Sequence, residues 1–61
     1  MDIEITRDAL EEFVQIQDYM LLARKENATE TYSKMKDRYL TLKAILNGCG
    51  VNLTYIDTIK E

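Results

Sequence analysis

Histidine and proline are absent from this 61-residue sequence, cysteine occurs once and glycine twice. The lone Cys49 can form no internal disulfide, and without histidine the commonest metal ligand and the commonest general base are both missing. A chain this short buries only about 60% of the surface that its unfolded form exposes, so its stability is marginal unless something supplements the core. Disulfides, metals and oligomerisation are the usual supplements. With the first two closed, self-association is the expected route.

The same gaps exclude function classes. Cys49 has no obvious base beside it in sequence, and Asp8, Glu11 and Glu12 stand at helical spacing where carboxylates complement a helix dipole and face water. No enzyme, cofactor or metal site is therefore expected. No apolar run approaches the roughly eighteen residues that span a bilayer, the longest candidate being Tyr19–Ala23. Met1-Asp2-Ile3-Glu4 lacks the basic-then-apolar pattern of a secretory signal, so the reducing cytoplasm is the expected compartment. A net charge of -3 disfavours a protein whose main task is to grip a polyanion.

What is present points to helices. Hydrophobic residues make up 46% of the chain, which with so little glycine is the composition of an ordered domain and not of a disordered tail. A first helix is expected over about 6–25, with Thr6 as its cap and Ile5 and Leu10 as a hydrophobic staple. Asp8, Glu11 and Glu12 suit its positive end, and Arg24 and Lys25 its negative end. Leu10, Phe13, Val14, Gln17, Met20 and Leu21 fall on one stripe, which Ala9, Ile16 and Ala23 widen to about half the circumference. One neighbouring helix cannot cover so wide an arc.

Asn27 with Glu30 three residues later has the form of a capping box, opening a second helix over about 28–47. Its apolar residues Ala28, Tyr32, Met35, Tyr39, Leu42, Leu46 and Cys49 alternate steps of four and three, the seam of a coiled-coil-like packing. Asn47-Gly48 is the expected stop, with Gly48 in the left-handed conformation and Gly50 permitting a further bend. Asn52 then caps a short third helix over about 53–60, stapled by Val51 and Ile56 and docked through Val51, Leu53, Ile56 and Ile59.

Two helices of this length joined by so short a connection lie antiparallel. Charge agrees, since residues 1–22 hold six acids and one base while residues 31–47 hold four bases and one acid. The expected fold is a single all-α domain over 1–61, an antiparallel helical hairpin with a short third helix, dimerising into a four-helix bundle.

Other features have plain structural explanations. Cys49 continues the apolar seam. Asn27-Ala28-Thr29 and Asn52-Leu53-Thr54 match the glycosylation sequon, but both asparagines are accounted for as caps. Lys34, Lys36, Arg38 and Lys43 flank the seam of the second helix, where long side chains cover apolar edges. Tyr19, Leu22, Leu40 and Tyr55 are hard to bury in a lone hairpin.

The function expected from this is a small cytoplasmic protein-binding module, a regulator or inhibitor that masks a surface of a larger protein. Its binding face would be the outer side of the first helix: Glu11, Glu12, Gln15, Asp18, Tyr19 and Leu22. Two alternatives stand beside it. One is a nucleic-acid-associated regulator that presents the bases of the second helix, and the other is a structural or assembly component of a phage or mobile element.

Overall fold

The computed structural model describes residues 3–61; Met1 and Asp2, the latter one of the six acids counted in the first arm, lie outside them. Two helices, α1 (Ile3–Lys25) and α2 (Thr29–Gly48), pack against each other as an antiparallel hairpin. The core runs along their contact, with Phe13, Met20, Tyr39, Leu42 and Leu46 sealed from solvent. At its centre the Phe13 and Tyr39 rings stack, 5.3 Å between centroids and 13° between planes. Residues 51–61 fold back across one side of this contact as a non-helical strap, burying Leu53 and Ile59.

The helix boundaries correct the expected caps. α1 begins at Ile3, so Thr6 and Ile5 lie within it and form neither cap nor staple. Nothing in Ile3-Glu4-Ile5 opposes a helix, and Glu4 already places a negative charge in the first turn. At the far end Asn27 adopts a left-handed conformation (φ 57°). The Ala28 N–H bonds to the Ala23 carbonyl at 2.9 Å and the Asn27 N–H to the Arg24 carbonyl at 3.2 Å, the two bonds of a Schellman closure. Asn27 thus ends α1 and does not open α2, whose capping residue is Ala28, with no side-chain cap bond.

The same exchange of roles occurs at the end of α2. Gly48 is still helical, and Gly50 (φ 80°) is the left-handed residue, with Val51 N–H to Leu46 O at 3.0 Å and Gly50 N–H to Asn47 O at 3.1 Å. The helix therefore runs past Asn47 before it closes.

The seam of α2 is as expected: Tyr39, Leu42 and Leu46 are buried, and Ala28, Tyr32, Met35 and Cys49 partly so. On α1 the stripe shifts sideways. Ala9, Phe13, Gln17, Met20 and Ala23 are buried with Leu10 and Ile16 beside them, while Val14 and Leu21 are exposed. One residue is about 100° of helix, so in a wide apolar arc the buried half is set by where the partner helix sits.

The third helix does not form. Asn52 does open one turn, its Oδ1 accepting from the Thr54 N–H at 3.0 Å and from the Thr54 hydroxyl at 2.6 Å, and the Asp57 N–H closes it on the Leu53 carbonyl at 2.8 Å. A helix would next send the N–H groups of residues 58, 59 and 60 to the carbonyls four residues earlier. Instead Gln17 Oε1 accepts from the Thr58 and Ile59 N–H groups at 2.6 and 3.0 Å, and Asp57 Oδ1 from the Lys60 N–H at 2.8 Å. The Ile56 carbonyl is also taken, by Gln17 Nε2 at 3.0 Å. Side chains remote in sequence have outcompeted the local ladder.

Candidate functional site

Each helix carries two parallel seams, one on either side of the contact line. On the strapped side lie Leu10, Phe13, Gln17, Met20 and Arg24 of α1 and Tyr32, Lys36, Tyr39, Lys43 and Leu46 of α2, all at steps of three and four. The groove between them is filled by residues 51–61.

Two buried polar groups hold the strap. Gln17 is 2% exposed, yet its amide also reaches the Phe13 carbonyl at 3.3 Å, and its oxygen accepts from the Thr58 hydroxyl at 3.0 Å. Asp57, 7% exposed, accepts from the Tyr39 hydroxyl at 2.6 Å and pairs with Lys43 Nζ at 2.8 Å. Burial pushes the Asp57 carboxyl up, but the hydrogen bonds from Lys43, Tyr39 and the Lys60 N–H outweigh it and hold the group below the ordinary carboxylate value. Burial, helped by the bond to Asp57, raises the Tyr39 hydroxyl, and the bond to Asp57 raises Lys43.

Toward the loop between the helices, the Tyr32 hydroxyl accepts from Arg24 at 2.7 Å and donates to Glu61 at 2.8 Å. These side chains line an open cleft of about 310 Å³. Among the described residues no buried side-chain nitrogen or oxygen lacks a partner, and no group of three or more Cys, Asp or Glu is placed to hold a metal ion. Arg24, Tyr32 and Glu61 close the end of the strap through their chain of hydrogen bonds.

On the other side of the contact the expected binding residues separate. Glu11, Gln15, Asp18, Tyr19 and Leu22 are exposed on the outer half of α1. Glu12 turns toward α2 instead, where Arg38 grips it with both ends of the fork, Nε to Oε2 at 2.6 Å and Nη2 to Oε1 at 2.8 Å. That bond holds the Glu12 carboxyl below its ordinary value and raises the Arg38 guanidinium. Of the four bases flanking the seam, Lys36 pairs with Glu61 at 3.7 Å, and Arg38 and Lys43 are engaged as above; Lys34 has no ion-pair partner among the described residues.

Sequence reasoning placed Gln17 on the apolar stripe without seeing that its amide would organise the strap. A polar residue in the middle of an otherwise apolar face was the available signal. Glu12, expected on the outer face, was misplaced, because only the register between the helices brings it within reach of Arg38.

Fold and surface together define a class, an all-α hairpin sealed on one side by its own C-terminal segment. In comparisons with protein families, curated proteins and solved structures, the chain matches none. No helix among the described residues is long and apolar enough to cross a membrane.

Proposed function

We propose that this chain is a small protein-binding module of the cytoplasm, a regulator or inhibitor that masks a surface of a larger protein, and that it self-associates into a four-helix arrangement. The observation that supports a binding role is the disposition of charge. The bases of α2 are largely spent on internal acids, whereas Glu11 and Asp18 stand exposed on α1 with no ion pair among the described residues, beside Tyr19 and Leu22, which are 49% and 51% exposed. Acids around an aromatic and an aliphatic side chain suit a basic protein surface with an apolar centre.

A nucleic-acid role for α2 draws less support, because Lys36, Arg38 and Lys43 would have to leave their partners to meet phosphate. No geometry favours an assembly component. A non-catalytic role agrees with the lack of histidine and with a half-buried Cys49.

The test is a pull-down from lysate with the tagged chain and its Glu11→Lys, Asp18→Lys double variant, at low and high salt, with a nucleic-acid stain on the eluate. A protein retained at both salts by the native chain and lost by the variant is the expected result. Equal retention by both removes this face from consideration, and nucleic acid released at high salt moves the role to α2.

A further inference from the structure

The groove opposite the strap repeats the construction of the strapped one, and among the described residues it is crossed by the Glu12–Arg38 pair but by no backbone segment. Its walls are Ile5, Ala9, Glu12, Ile16 and Tyr19 of α1 and Met35, Arg38, Leu42, Ile45 and Cys49 of α2, each series an alternation of four- and three-residue steps. That alternation is the pattern of a helix packed along a further seam. Its rim is apolar and open: Ile5 is 58% exposed, Tyr19 49% and Ile45 39%.

We propose that a second copy of this chain packs into this groove, related to the first by a two-fold axis parallel to the helices, so that Glu12 of each copy faces Arg38 of the other. The proposal deepens the self-association put forward above; it shares Tyr19 with the acidic outer face but uses none of that face's exposed carboxylates. Charge and register together select the occupant. The groove carries one acid and one base at the same level, joined as a pair and neutral together.

The Glu12–Arg38 bond and the Phe13–Tyr39 stack set the antiparallel register, which brings Ile5 level with Ile45 and Ile16 level with Met35. A two-fold axis along the helices lays each α1 antiparallel on the other copy's α2. Ile5 then meets Ile45, Ile16 meets Met35, and the four charges alternate around a square. A two-fold axis across the helices at the level of the pair would stack Glu12 on Glu12 and Arg38 on Arg38, which repel. A charged level within an apolar seam fixes register in this way at some cost in affinity.

Between Cα atoms the molecule measures 38 × 18 × 14 Å. Even its narrower long side offers on the order of 500 Å² before side chains widen it, approaching the roughly 800 Å² per partner of a standard interface.

The test uses the full chain and a Glu12→Arg, Arg38→Glu double variant, which keeps the pair within each copy and reverses it between copies. Each is run alone in sedimentation equilibrium, then the two are mixed and the dimers counted by native mass spectrometry. The expected result is a dimer from each alone and mixed dimers depleted about tenfold or more against the statistical share, because a mixed dimer sets acid on acid and base on base.

A native chain that stays monomeric at micromolar concentration overturns the proposal and leaves the groove to a different protein; the acidic-face reading is then judged by its own pull-down. A native dimer that mixes statistically, or prefers the mixed form, also overturns it while self-association stands. Should the double variant not fold, Ile45→Glu serves: the expected result is a helical monomer, and an undiminished dimer contradicts the proposal.

Discussion

The two grooves beside the α1–α2 contact differ in what one polar position in each does. In the strapped groove Gln17 binds backbone: its amide gives and receives at Ile56, Thr58 and Ile59, and so holds eleven residues of irregular chain against the core. In the bare groove Glu12 binds a side chain, Arg38, across the gap. A carboxylate cannot donate to a carbonyl and an amide carries no charge. The first polar choice recruits the chain's own tail, whereas the second neutralises itself and leaves apolar rims on both sides.

The sharpest way to break this contrast is to remove the polar function of Gln17. Gln17→Leu keeps much of the volume but strands the Thr58 and Ile59 N–H groups, and the expected loss is ~3 kcal/mol of unfolding free energy, with exposed Leu53 and Ile59 binding a hydrophobic dye. For a domain this size that is a large share of the total. Chemical denaturation measures it, and a loss under about 1 kcal/mol would mean the strap is held by apolar contacts alone.

A smaller effect is expected at the strap's second anchor. The Asp57 carboxyl lies below its ordinary value when folded, so the unfolded chain binds its proton more readily in acid. Its stabilising contribution is therefore complete above the unfolded value near 4 and is lost as pH falls through the lower folded value. Tyr39 and Lys43 are both raised, so their contributions hold at neutral pH and are lost as pH climbs above about 10. Asp57→Asn should cost about 2 kcal/mol at neutral pH and flatten the acid limb of the stability profile. An acid limb unchanged by the substitution would assign it to other carboxylates.

The hairpin and the α2 seam were legible in the sequence because periodicity is a property of each helix by itself; of the expected attraction between an acidic and a basic arm, the described residues realise the Glu12–Arg38 pair, while Lys36 and Lys43 pair with Glu61 and Asp57 of the strap. The caps were not. Asn is suited both to capping a helix start and to the left-handed residue past a helix end, so Asn27 read equally well as either, and Gly48 and Gly50 compete for one role. The strap was misread as a helix because its decisive partner, Gln17, lies some forty residues away in the chain. Five of the six residues expected on the binding face are exposed, and the exception, Glu12, is the one whose position depends on the register between helices.

The contrast between a sealed groove and an open one is tested most directly by following the isoleucine methyl signals through a dilution series in NMR. The prediction is that Ile5, Ile16 and Ile45, around the bare groove, shift with concentration while Ile56 and Ile59, under the strap, do not. Shifts at Ile56 and Ile59, or no shift at any of the five, would contradict it.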